Sequence, residues 1–186
     1  VLIVFAIAII TGLWHGFWVG YMKLPAFIIT LATSFMYRGL SLIVTQGIPI
    51  TKLPQDFRDF GCGDIFGMES GVTMAFVVIL LLIPLFYRMR WGHYVTALGG
   101  NPEALKRSGV ATGRYRASAF ALMGLLSALA GIIITARLNS AEANAGLNME
   151  MDAICAVIMG GTALHGGSGS LLGTVIAVFL LGLIRN

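Results

Sequence analysis

Four apolar runs constrain this chain most. They cover residues 1–21, 25–45, 71–87 and 117–136 and carry almost no charge. Each is about as long as the ~20 residues that a helix needs to cross a bilayer. Hydrocarbon offers no partner to backbone N–H and C=O groups, so a segment inside it closes its own hydrogen bonds as a helix or joins a closed barrel. Runs of this length with no strict alternation predict helices. Only 11% of the 186 residues are charged and 58% are hydrophobic, whereas a soluble domain is nearer a quarter charged. The 24 glycines suit helices that approach one another closely in lipid. The expected fold is all-α: one polytopic bundle of membrane helices over residues 1–186, with the bilayer as its first partner. The net charge of +4 does not point to nucleic acid, because the cations gather in one loop.

The charges between the runs set the orientation. Residues 88–116 hold Arg88, Arg90, Lys106, Arg107, Arg114 and Arg116 against Glu103, a net of +5. Residues 46–70 hold Lys52 and Arg58 against Asp56, Asp59, Asp64 and Glu69, a net of −2. Residues 137–152 set Glu142, Glu150 and Asp152 against Arg137. Lys and Arg near span ends mark the cytoplasmic side. The basic segment and Lys23 are therefore expected inside, and both acidic segments outside. The chain begins within an apolar run without an initiator Met, has no basic n-region, and is expected to be a piece of a longer one.

Within the spans, Gly12, Gly16 and Gly20 recur every four residues on one face, which predicts a close helix–helix contact. Ser127 and Gly131 give the fourth span a similar small face. Trp14, Phe17, Trp18 and Tyr21 form an interfacial aromatic belt, and His15 among them is either packed or part of a proton relay. Pro25 suits the first turn of the second span, and Pro84 bends or ends the third. Thr30, Ser34, Arg38 and Ser41 fall on one face of the second span. One reading turns that polar stripe to a wet cavity. The other has Thr and Ser bonding back to their own helix while Arg38 snorkels. Cys62 and Cys155 lack metal spacing, and Cys155 is expected to pack.

The late region is irregular. Residues 153–164 are apolar but too short to cross straight. HGGSGS follows at 165–170, then a second apolar run at 171–184. The pattern predicts a discontinuous helix or a re-entrant hairpin lining a pathway, with an ordinary inner loop as the alternative. Gly161, Gly166, Gly167, Gly169 and Ser170 are the residues assigned to the path there, beside Thr30, Ser34, Arg38 and Ser41. Gly161 and Gly166 have phosphate-loop spacing, but Gly167 stands where that motif needs Lys, so nucleotide binding is excluded. His15, His93 and His165 lie in different segments. No nucleophile–base pair and no metal cluster is evident, and no cofactor is expected.

The basic segment contains a legible short helix. Asn101 can cap it, Pro102 suits its first position, and Glu103 favours its positive end. Ala104 to Ser108 continue it, with Lys106 and Arg107 at its negative end, and Gly109 stops it. Such a helix outside the membrane is either a docking surface for a partner or a helix resting on anionic lipid.

Residues 99–110, GGNPEALKRSGV, resemble the cytoplasmic coupling segment of permease subunits of bacterial ABC importers for simple sugars. That family carries ribose, xylose, galactose and arabinose, with autoinducer-2 permeases close by. KLPAFIITLATSFMYRGLSLIVTQGIPI at 23–50 resembles the family's helix with Pro at its start and Arg-Gly mid-span. GRYRASAFALMGLLSALAGIIITARL at 113–138 resembles the span that follows the coupling segment. LNSAEANAGLNMEMDAICAVIMGGTALHGGSGSLLGT at 138–174 resembles its Gly-rich late segment, where Gly160, Gly161, Gly166, Gly167, Gly169 and Ser170 match individually.

The resemblance implies a multi-pass inner-membrane permease subunit lacking the family's first helices and its last. It implies cytoplasmic ATP-binding subunits that hydrolyse ATP, a periplasmic sugar-binding protein, and a second permease chain, identical or not. It assigns Gly99, Gly100, Asn101, Pro102, Glu103, Ala104, Arg107, Ser108 and Gly109 to ATPase coupling, and leaves this chain itself no catalytic task. Branched-chain amino-acid permeases share the architecture more loosely. A secondary transporter or channel would need an intramembrane acid or ion site that the four spans do not carry.

Overall fold

The computed structural model describes residues 1–65, 67–164 and 166–185, with the side chains of residues 56, 64, 65 and 185 left out. His165, weighed above, lies outside the described residues. The fold is all-α, as expected. Among the described residues, four helices are long and apolar enough to cross a membrane: α1 Leu2–Gly20, α2 Ala26–Thr45, α4 Ser70–Tyr87 and α7 Thr112–Leu138. Between α2 and α4 lie β1 Ile50–Thr51, α3 Gln55–Cys62, β2 Asp64–Ile65 and β3 Met68–Glu69. Between α4 and α7 come α5 Arg90–Gly100 and α6 Pro102–Arg107, and after α7 follow β4 Ser140–Ala141, α8 Met149–Met159 and α9 Leu171–Arg185. The chain divides into two compact units, Val1–Leu80 with Arg116–Ala145, and Leu81–Tyr115 with Gly146–Asn186.

In the first unit, α1 packs on α7 through small residues. A Cβ on Gly12 would stand 2.6 Å from Phe120 O, and one on Gly16 would stand 2.5 Å from Ala117 Cα. Gly124 of α7 lies equally close to Ala8 O. The glycine face of α1 is thus the expected close contact. The small face at Gly131 is open on this side, since nothing lies within 4 Å of a Cβ there. The seam uses Ala117, Ala121 and Gly124 instead. Arg116 Nη1 donates to Val19 O at 3.1 Å, placing a cation on the carbonyl end of α1, where the helix dipole is negative. This ties the end of α1 to the start of α7.

At the opposite end, the two acidic segments are joined. β1 pairs antiparallel with β4, Ile50 opposite Ala141 and Thr51 opposite Ser140. Arg137 and Glu69 form an ion pair at 3.0 Å between exposed side chains, which contributes little net energy in water. Gly61 fits against Ala136 with no room for a side chain. The shared strand pair puts both acidic segments on one side, in agreement with the charge pattern.

The second unit holds the basic segment and the late hairpin. Pro84 does not end α4, which runs on to Tyr87, and Pro84 O accepts from Arg88 N at 2.9 Å and Met89 N at 3.1 Å. Residues 88–116 contain two helices rather than one, α5 being the addition. α7 starts at Thr112, earlier than the apolar run. Its 27 residues span about 40 Å, so its first turns, with Arg114 and Arg116, extend beyond a ~30 Å hydrocarbon core. α8 and α9 are two separate helices that pack on each other as a hairpin. Cys155 is exposed on α8, not packed, and both cysteines are free.

Candidate functional site

α6 is presented as a separate, fully capped turn-and-a-half. Asn101 Oδ1 accepts from Ala104 N at 3.0 Å, which satisfies a donor the first turn leaves orphaned. Pro102 opens the helix and Glu103 lies in its first turn, while Lys106 and Arg107 fill the last. At the other end Gly109 N donates to Lys106 O at 3.1 Å and Val110 N to Leu105 O at 3.3 Å. This paired closure needs a left-handed residue just past the helix, and Gly109 supplies it with φ +80°. Asn101, Pro102, Glu103, Ala104, Lys106, Arg107, Ser108 and Gly109 are all exposed, with Leu105 half-buried. A six-residue helix is too short to persist by propensity. Its caps hold it, and it offers an acid and two cations to whatever lies beyond.

α5 supports it. Gly92 and Leu98 are buried, with Trp91, Tyr94 and Val95 half-buried, an apolar stripe at i, i+3, i+4, i+7. Trp91 meets Phe86 edge-on at 5.5 Å between ring centroids, and Tyr94 meets Tyr115 at 5.0 Å. Arg88, Arg90, His93 and Arg114 remain exposed. Asn101 N donates to Ala97 O at 3.0 Å, so the residue that caps α6 also terminates α5. Three glycines and the Val95–Thr96 pair lower the helix propensity of α5 and hide it in the sequence. The stripe from Trp91 to Leu98 is the signal that reveals it.

The late glycines have individual tasks. Gly161, φ +86°, ends α8 in the same paired closure, with Gly161 N to Ile158 O at 3.0 Å and Thr162 N to Val157 O at 3.1 Å. Ala163 N donates to Ser168 O at 3.1 Å and Gly166 N to Ala163 O at 3.0 Å, closing the loop on itself. Ser170 Oγ accepts from Gly173 N at 3.0 Å and so caps α9. A Cβ on Gly169 would stand 3.1 Å from the Thr162 side chain. One on Gly160 would stand 2.5 Å from Thr174 Cα. Gly173, opposite it, is a contact residue that sequence reasoning missed.

The two glycine motifs of the sequence meet. A Cβ on Gly99 would stand 2.5 Å from Gly167 N, one on Gly166 2.7 Å from Gly99 Cα, and one on Gly167 2.8 Å from Gly100 Cα. Gly166 and Gly167 hold φ +84° and +87°, values that side chains disfavour. Leu171 N, at the start of α9, donates to Tyr87 Oη at 3.2 Å. The hairpin loop therefore rests on the basic segment and on the end of α4.

On α2, Thr30 Oγ1 donates to Ala26 O at 3.0 Å and Ser34 Oγ to Leu31 O at 2.8 Å, the back-bonding form weighed above. Ser34 is exposed, and Arg38 and Ser41 are half-buried. Arg38 makes no ion pair among the described residues. The neighbouring Thr33, outside the predicted stripe, carries the contact to α1: its Oγ1 lies 2.7 Å from His15 Nε2. Of the two readings of His15, packing is the one this bond supports. Among the described residues no three His, Cys, Asp or Glu side chains group to hold a metal.

A family model described as the permease component of a branched-chain amino acid transport system matches residues 1–186. The ribose import permease protein RbsC of Bacillus subtilis is 42% identical over 167 residues, 88% of this chain and 52% of the relative. The D-allose transport system permease protein AlsC of Escherichia coli is 35% identical, over 94% of this chain and 54% of the relative. The autoinducer 2 import system permease protein LsrC of Yersinia pseudotuberculosis is 32% identical, over 94% of this chain and 50% of the relative. The chain thus spans about half the length of the curated relatives it matches. No solved structure matches it. A match along the whole chain, four helices among the described residues long and apolar enough to cross a membrane, and relatives named as permeases together identify the chain as a member of this family of transport permease components.

Proposed function

We propose that this chain is part of the permease subunit of an ATP-driven, binding-protein-dependent importer of simple sugars in a bacterial inner membrane. The observation that carries the proposal is α6: a short, doubly capped, exposed helix on the side that Lys and Arg mark as cytoplasmic. Gly99, Gly100, Asn101, Pro102, Glu103, Ala104, Arg107, Ser108 and Gly109 form the surface that meets a cytoplasmic ATPase. A periplasmic sugar-binding protein delivers substrate to the acidic side, and a second permease chain completes the path. Relatives named for ribose and D-allose support a sugar.

Permeation itself needs no catalytic group. A sugar leaving water loses hydrogen bonds, and groups along the path replace them at about 1 kcal/mol each. On α2, Thr30, Ser34, Arg38 and Ser41 are the residues proposed to line the path, Thr30 and Ser34 as acceptors, since their hydroxyl protons bond back to Ala26 O and Leu31 O. Arg38 has no ion pair among the described residues, and an unpaired arginine inside a span is costly in lipid and calls for water or polar cover. In the hairpin, Gly161, Gly166, Gly167, Gly169 and Ser170 are proposed to border it, since irregular backbone is tolerated only beside protein or water.

The test replaces Glu103 and Arg107 together in the full-length permease, reconstituted with its ATPase and binding protein. Sugar uptake is expected to fall while ATP hydrolysis continues and the protein stays in the membrane. Uptake at the original rate would refute the docking role. The family description favours a second reading, a branched-chain amino acid as cargo. Saturable uptake of leucine but not of ribose or allose by the same assembly would establish it.

A further inference from the structure

We propose that Gly99 and Gly100 are positioning residues that carry the motion of α6 directly into the α8–α9 hairpin, through their backbone contact with Gly166 and Gly167. The inference rests on the reading of α6 as the docking helix. A Cβ on Gly99 would stand 2.5 Å from Gly167 N, and one on Gly167 2.8 Å from Gly100 Cα. No side chain lies between these backbones, so no rotamer change can absorb a displacement; packed contacts of this kind shift as a body.

Hydrogen bonds hold the described residues on both sides of the contact. Asn101 ends α5 through its N–H to Ala97 O at 3.0 Å and caps α6 through its side chain at 3.0 Å, so the joint between the two helices is bonded on both sides. The loop is closed by Ala163 N to Ser168 O at 3.1 Å. Gly160 fits against Thr174, with 2.5 Å between a Cβ there and Thr174 Cα. A push on α6 reaches the end of α5, then the loop, then both helices of the hairpin. Small residues in a membrane helix usually serve close packing alone. This quartet differs because it joins the terminus of an exposed helix pair to a loop, not two spans along their length.

The test uses the full-length permease with its ATPase and binding protein in liposomes, Cys62 and Cys155 being replaced by Ser. Spin labels at Lys106→Cys and Ser168→Cys report the separation of α6 from the loop. Without nucleotide and in the vanadate-trapped state that separation is expected to stay unchanged. In Gly99→Ala it is expected to shift by several Å on trapping, with sugar uptake falling roughly tenfold while ATP hydrolysis persists. Gly182→Ala, a position with nothing within 4 Å, is the control that keeps uptake. A shift of several Å in the unsubstituted protein overturns the proposal, and so does full uptake by Gly99→Ala. If Gly99→Ala fails to assemble, the unsubstituted pair alone decides. An ATPase that never binds the unsubstituted permease would instead refute the docking role of α6.

Discussion

His15 of α1 and Thr33 of α2 are joined by a bond of 2.7 Å between Nε2 and Oγ1. The Thr33 hydroxyl has one proton, and Ile29 O lies 2.8 Å away to accept it. The donor between Thr33 Oγ1 and His15 Nε2 is set by the His15 tautomer. Thr33→Val removes both the bond to His15 and the back-bond, and is expected to destabilise the α1–α2 pair by about 0.6–2 kcal/mol. Thr33→Ser keeps the bond and is expected to match the original protein. Thermal unfolding of the purified permease in detergent measures the difference; equal midpoints for Val and Ser would rule the bond out as a contributor.

Gly12 and Gly16 leave no room for a side chain against the α7 backbone, with Cβ distances of 2.6 and 2.5 Å to Phe120 O and Ala117 Cα. Gly16→Val is expected to separate α1 from α7 at a cost of about 1–3 kcal/mol, and to break the Arg116–Val19 bond with it. Gly131→Ala, on the open side of α7, is expected to be neutral or slightly stabilising, because Ala is the better helix former. Membrane abundance and detergent melting of the two variants should differ in that order. The reverse order would reject the seam.

The basic segment is expected inside the cell and the strand-paired acidic segments outside. With native Cys62 and Cys155 replaced by Ser, Asn144→Cys should react with an impermeant maleimide in intact spheroplasts. Ser108→Cys should react only after lysis. Labelling of residue 108 in intact spheroplasts, with residue 144 protected, would invert the topology.

The caps of α6 give graded effects on partner binding. Asn101→Ala loses a cap worth about 1 kcal/mol, and Gly109→Ala forces a side chain into φ +80° at roughly 1 kcal/mol. Each is expected to weaken ATPase binding about fivefold, with Asn101→Asp close to the original. Co-purification titrations on the full-length permease resolve a change of this size. Undiminished binding by the double variant Asn101→Ala with Gly109→Ala would show that α6 need not be folded to dock.

The four spans were legible because lipid imposes one solution on a long uncharged run, and α1 and α2 start and stop within a residue or two of the apolar boundaries. α6 was legible for a different reason: its cap, first-turn proline and stop glycine are local signals that need no tertiary context. Three features were not. α5 hides behind Gly92, Gly99 and Gly100, whose value lies in what approaches them, not in helix propensity. The α7 side of the seam could not be chosen from sequence, since Ala117, Ala121 and Gly124 look no smaller than Ser127 and Gly131. The meeting of Gly99 with Gly167 joins residues far apart in sequence, and neither motif carries any mark of the other. The polar stripe on α2 shows how a pattern can mislead about a single residue, for Thr33, just off the stripe, makes the bond to the next helix.

The pairing of Ile50 with Ala141 also sets a clock. All of α4 and α7 is synthesised between these residues. At about 5–20 residues per second, the first strand waits on the order of ten seconds for the second. During that wait its unpaired backbone is open to any passing strand, including the same strand of another nascent copy. Pro49 and Lys52 flank the two residues of β1, one lacking a donor and the other charged. A proline and a lysine are the residue types that blunt an open strand edge against pairing with the wrong neighbour.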